Sequence, residues 1–250
     1  MKTGTLDWAR ATSGKLTGAE RRSFLAPALG QSLAYALGRL RLLFGLRRGD
    51  AASFDLDSLD LPDSRLTREA EAEARATLSP ATLEHSYRSF LYGLALSQLD
   101  GVAVDTEHLY ATALLHDIAL ESPTPGCCFA VRGALTMHEL ALRAGVDDTT
   151  ARALAEGIAH HITPGVGYEL GPLAPLLQFG AMVDLTGLRL WELAPGFVEA
   201  VLERHPRLGV KRSIGACWRA EARTFPEGRA AFLERSFRFS LLVRFAPFPE

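Results

Sequence analysis

The stretch LYATALLHDIAL, residues 109–120, decides how the chain is read. Leucine and alanine dominate it, and its only charged or titrating neighbours are the adjacent pair His116–Asp117. Asp105, a few residues upstream, is a natural N-cap, so the pattern predicts a helix from there to about Asp117. An imidazole and a carboxylate among apolar side chains are costly unless something satisfies them. Either the pair sits at a helix end in water, or it binds something.

Working outward, helical signals continue on both sides. SPATLEHSYRSFLYGLALSQL, residues 79–99, opens with Ser79 and Pro80, an N-cap and first-position pair. Its Leu83, Tyr87, Phe90, Leu91 and Leu94 recur at three- and four-residue spacing and make one buried face. VRGALTMHELALRAG stops at Gly145, and DDTTARALAEGIAHHI, capped by Asp148 or Thr149, halts before Pro164. LAPLLQFGAMVDLTGL is apolar nearly all round, which predicts a buried helix. GFVEAVLERH is amphipathic, and a shorter helix is expected within RAAFLERSFRFSLLVRF. No alternating run stands out, so the expected fold class is all-α.

Three parts are expected, their bounds following the linker and the reach of the family resemblance described below. Residues 1–60 form a helical N-terminal extension with an acidic, turn-rich linker around 47–64; residues 61–208 form the central domain; residues 209–250 form a C-terminal helical extension packing on it. Within the first part, FLAPALGQSLAYALGRLRLLFGLRR is leucine-striped and arginine-rich. Packing on the main domain is its plain reading; a membrane-surface or partner-binding helix is the sharper one.

The 250 residues carry a net charge of -2, so nothing global points to a nucleic-acid partner. Three cysteines, Cys127, Cys128 and Cys217, do not make a disulfide framework. Residues 1–18 lack an apolar core of signal-peptide length, and no apolar run is long enough to span a membrane. The cytoplasm is the expected compartment. The absence of G-x-S-x-G, P-loop and G-x-G-x-x-G patterns argues against serine-hydrolase, NTPase and dinucleotide-dependent chemistry.

His85, His116, Asp117 and Asp184 all fall on apolar helices and all want partners. Two imidazoles and two carboxylates make a mixed nitrogen and oxygen ligand set, suited to zinc, iron, manganese or nickel with positions left for water. Their order, His85, then His116–Asp117, then Asp184, resembles the H…HD…D signature of the HD superfamily of metal-dependent hydrolases. LEHSYRSFLYG resembles its first-histidine helix, TALLHDIAL its signature helix, and FAVRGA with GIAHH the next two elements. The HSxR motif with LLHDI and the FAVRGA step is most similar to the cyanamide-hydratase-like group. The resemblance spans about Pro62 to Arg207.

That resemblance implies an HD-domain helical bundle holding one divalent transition metal, zinc or iron first, on His85, His116, Asp117 and Asp184. Members with two metals carry an extra ligand just before the GA step; here Phe129 stands there and cannot ligate, which favours one metal and makes Phe129 a substrate contact. Asp117 serves as ligand and base, with His160 or His161 as proton donor. Arg88, one turn after His85, would bind substrate. The expected function is a hydrolase or hydratase that activates water against a small, nitrile-like molecule, and a homo-oligomer is compatible with it. Two alternatives stand: an HD phosphohydrolase acting on a nucleotide or phosphate monoester, and a non-enzymatic regulatory module that keeps its metal for structure.

Overall fold

A computed structural model describes residues 2–249. Among them are twelve α-helices and no strand: α1 (Leu6–Thr12), α2 (Gly18–Leu43), α3 (Arg65–Thr77), α4 (Pro80–Asp100), α5 (Thr106–Leu115), α6 (Phe129–Arg143), α7 (Asp148–His160), α8 (Leu173–Thr186), α9 (Pro195–Arg204), α10 (Val210–Thr224), α11 (Arg229–Phe237) and α12 (Phe239–Arg244). Only two isolated bridges, Ala52 with Leu193 and Thr124 with Cys127, interrupt the helical pattern. The all-α expectation holds.

The local chemistry explains most boundaries. Asp105 accepts from the His108 N–H at 3.0 Å and starts α5. Asp147, one residue before the expected cap, does the same for α7 through the Thr150 N–H. Ser79 and Pro80 open α4, but the Ser79 hydroxyl donates to Glu121 at 2.6 Å instead of capping its own helix. The C-terminal run expected as one helix is two, because Arg238 adopts a left-handed conformation with φ of 53° between α11 and α12.

The centre of the molecule is the pairing of α4 with α8. It is close because both helices lack a side chain where they cross. A Cβ on Gly180 would collide with the Ser89 carbonyl oxygen, and one on Gly93 would lie 2.9 Å from the Leu176 carbonyl oxygen. This approach brings the first turns of α4 beside the last turns of α8, where His85 and Asp184 sit. α5 ends against the same pair. α6 lies over that end, with Gly133 facing the carbonyls of Leu115 and His116.

One apolar core runs from Leu6 to Phe248 and takes in both extensions. The acidic linker is strapped down: the Ala52 N–H donates to the Glu192 carbonyl at 2.7 Å, and Leu56 is buried. α2 packs through Phe24, Ala28 and Gly38. Its other face leaves Leu29, Leu33, Leu37 and Leu40 at least half exposed. No helix among the described residues is long and apolar enough to cross a membrane.

Candidate metal centre

Four elements deliver the central side chains. His85 comes from the second turn of α4, His116 caps the C-terminus of α5, Asp117 follows in the turn, and Asp184 lies in the last turn of α8. All four are buried.

The histidine tautomers follow from the acceptors they meet. His116 Nδ1 lies 2.7 Å from the Ala113 carbonyl, which can only accept, so Nδ1 carries the hydrogen. His161 Nδ1 donates in the same way to the Ile158 carbonyl at 2.6 Å. His85 Nδ1 donates to Asp184 Oδ2 at 2.7 Å. Each Nε2 therefore presents a lone pair when its ring is neutral, and the Nε2 atoms converge. Those of His85 and His116 are 3.2 Å apart. Asp117 Oδ2 lies 3.4 Å from His116 Nε2 and 3.8 Å from His85 Nε2.

Two facing lone pairs repel unless a proton or a cation sits between them. Burial above all, with His161 and His85 adding to it against the pull of Asp117, pushes the His116 imidazole down to about 4, so a bridging proton is disfavoured at neutral pH. Burial pushes the Asp117 carboxyl up, yet His116, His161 and His85 together hold it well below the usual carboxylate range. A four-coordinate transition metal with bonds of about 2.0–2.1 Å spaces its ligands about 3.3 Å apart. His85, His116 and Asp117 thus have the chemistry, the charge and the spacing to hold a metal ion.

Asp184 lies outside that trio. It stands behind His85, on the Nδ1 side. Arg88 Nε reaches Asp184 Oδ1 at 2.8 Å, and Arg207 reaches the same oxygen at 2.5 Å. A second Arg88 nitrogen meets Oδ2 at 3.0 Å, beside His85. Burial opposes the Asp184 charge, but Arg88, Arg207 and His85 hold it ionised. A carboxylate that orients an imidazole in this way is the usual outer support where such an imidazole ligates a metal.

Three other expected residues fall elsewhere. Arg88, expected at the substrate, is fully buried and spends its guanidinium on Asp184 and on the carbonyls of His205 and Pro206. Phe129 lies outside the cavity lining and instead backs His161, edge to face, with ring centroids 5.7 Å apart. His160 and His161 separate because neighbouring helical positions point about 100° apart. His161 Nε2 stands 3.5 Å from Asp117 Oδ1. His160 turns away beneath Gly4 and lines a different cavity with His108 and Glu156.

A cavity of about 80 Å³ has His116, Asp117 and His161 in its lining. No arginine or lysine lines it among the described residues. Two of its contributors escaped sequence reading. One is Gln178, whose amide nitrogen holds the His161 and Thr163 carbonyls at 2.7 and 2.9 Å. The other is α10, which brings in Ile214 and Trp218. Val210, Ile214, Trp218 and Ala222 recur every four residues in an otherwise polar run, so the signal for α10 was there. Arg207, in a loop, gave no signal for its pairing with Asp184.

No protein-family model matches the chain. Among curated proteins, it is 32% identical over 154 residues to cyanamide hydratase DDI2 of Saccharomyces cerevisiae, covering 59% of this chain and 68% of the relative. Cyanamide hydratase DDI3 of the same yeast matches to the same extent. The chain belongs to the family of these hydratases. Membership supports an enzyme of hydratase-like or hydrolase-like type, in keeping with a buried His–His–Asp cluster that could hold a metal.

Proposed function

We propose that the chain is a metal-dependent hydratase of the HD type that adds water to a small nitrile-like molecule. His85, His116 and Asp117 hold one divalent transition metal, zinc or iron, and Asp184 fixes the tautomer and direction of His85. The observation that carries this reading is the convergence of two Nε2 lone pairs on one ionised carboxylate, 3.2 Å from each other. Bound there, such a metal lowers the pKa of a coordinated water toward about 7.

The remaining chemistry belongs to side chains. Hydration forms a bond between the water oxygen and the nitrile carbon and moves one proton from that oxygen to the nitrogen. His161 is the shuttle. Its Nδ1–H is anchored on the Ile158 carbonyl, so Nε2 is free to take the proton. Asp117 Oδ1, 3.5 Å away, stabilises the imidazolium until the proton passes to nitrogen. Proton transfer followed by tautomerisation leaves an amide, or urea when the substrate is cyanamide. Phe129 packs on the His161 ring and limits its rotation.

A phosphate ester is a poorer match. Such a substrate needs cations, and the lining supplies none. The test is metal content and cyanamide turnover of the purified protein beside a His116→Ala/Asp117→Ala variant. About one transition metal per chain with turnover, both lost in the variant, is the expected result. No bound metal after addition of zinc, iron or manganese would overturn the reading.

A further inference from the structure

The lining of the cavity is mostly apolar. Beyond His116, Asp117 and His161, its apolar lining includes Leu120, Met182, Leu185, Trp218, Phe239 and Leu242. Gln31, Ser32, Tyr35 and Gln178 are the other polar side chains of the lining, and all but Tyr35 have hydrogen-bond partners within the fold. The Gln178 amide nitrogen holds two carbonyls, and its oxygen accepts from Gln31 at 3.0 Å. The Ser32 hydroxyl donates to the Ala28 carbonyl at 2.9 Å. The walls draw on more of the chain than the centre does. The metal trio comes from α4 and the end of α5, whereas α8 joins α2 and α10 to α12, from the two extensions, in lining the cavity.

On the reading of a metal-dependent hydratase given above, we infer that the preferred substrate is an uncharged organonitrile with an apolar alkyl or aryl body, rather than cyanamide itself. Cyanamide carries an amino group where this cavity offers hydrocarbon. Burying that group without a partner is unfavourable. An alkyl chain in the same place removes apolar surface from water on both sides. No arginine or lysine among the described residues lines the cavity, so an anionic body would be buried there without a cationic side chain to pair it. A cationic body would lose its hydration against leucine and phenylalanine. The reaction is unchanged: water and R–C≡N give R–C(=O)NH2, with no oxidant or reductant.

The experiment is a chain-length series on the metal-loaded protein: cyanamide, acetonitrile, propionitrile and butyronitrile. We expect kcat/KM to rise about fourfold for each methylene, the value of one buried CH2. Met182→Gln and Leu242→Gln should flatten that rise. The second measurement is the affinity of metal-free protein for butyronitrile and for cyanamide, which needs no catalysis; butyronitrile should bind more tightly. Cyanamide turned over with equal or better kcat/KM than every alkyl nitrile would overturn the inference and leave the hydratase reading intact. Tighter binding of longer nitriles with no hydration of any of them would sink the hydratase reading while the cavity preference stands. Equal binding of butyronitrile and cyanamide to the metal-free protein would also count against the inference.

Discussion

Asp184→Ala separates the two roles that a carboxylate can play here, ligand or support. Asp184 accepts from Arg88 through both oxygens, from Arg207 and from His85, and none of these groups reaches water. Removing it strands two buried guanidiniums and the His85 Nδ1–H. Breaking one buried ion pair from one side is worth about 3–5 kcal/mol. In a protein of this size each kcal/mol moves Tm by about 2–4 °C. The midpoint should therefore fall by roughly 8–16 °C for a loss near 4 kcal/mol. The metal trio itself remains, so affinity should drop about 10–100-fold, the usual effect of removing a carboxylate that orients a ligand, and not disappear. Calorimetric unfolding of the metal-free protein reads the first effect, and zinc titration of the folded variant reads the second. An Asp184→Ala protein within about 1 kcal/mol of wild type would refute the ion-network argument. A folded variant that binds no metal at saturating zinc would make Asp184 a ligand.

Other consequences are independent of that one. His161→Gln should keep its metal and lose about 10²–10⁴ in kcat; a variant with wild-type kcat would remove His161 from the proton path. Gly180→Ala puts a methyl group into the Ser89 carbonyl, so α4 and α8 must separate. It should cost about 1–3 kcal/mol and weaken metal binding as His85 leaves Asp184, whereas unchanged unfolding and affinity would show the crossing to be loose. The buried rings of His116 and His160 are each pushed down to about 4 from an ordinary 6.5, chiefly by burial. Between those values the unfolded chain binds protons that the folded one refuses. Stability of the metal-free protein should thus be full above about pH 6.5 and fall toward pH 4, by on the order of 3 kcal/mol per ring. His160→Gln should remove its share, and an identical acid limb in that variant would contradict the burial argument.

A non-enzymatic module, with the leucine-striped N-terminal extension as its working surface, calls for a test that leaves the cavity intact. α2 forms part of the cavity wall through Ala28, Gln31 and Tyr35. Deleting the extension would open the cavity, so lost turnover in the truncated chain would not single out an interaction module. Point substitutions on the exposed leucines of α2, such as Leu33→Arg, leave the inner face in place. They ask the same question without disturbing the site, and turnover should survive them.

Much of this molecule is decided locally, and so the sequence alone determined it. Asp105, Pro80 and Gly145 act on their own neighbouring amides and dihedrals, and four-residue apolar spacing needs no knowledge of what covers it. The pair His116–Asp117 on an apolar helix announced an unmet polar demand for the same reason. What a side chain faces is another matter. Arg88 was one turn from His85, yet whether it met substrate or Asp184 depended on how closely α8 could approach, which Gly93 and Gly180 set together. His160 and His161 are equivalent in composition and differ by about 100° in direction. Only the packing of α7 against the end of α5 aimed one at Asp117 and the other beneath Gly4. Part of the apolar wall that bears on substrate choice comes from α10 to α12, about a hundred residues beyond the His–Asp pair. Spatial neighbours so distant along the chain are chosen by the folded core, because burial rewards area and not sequence order.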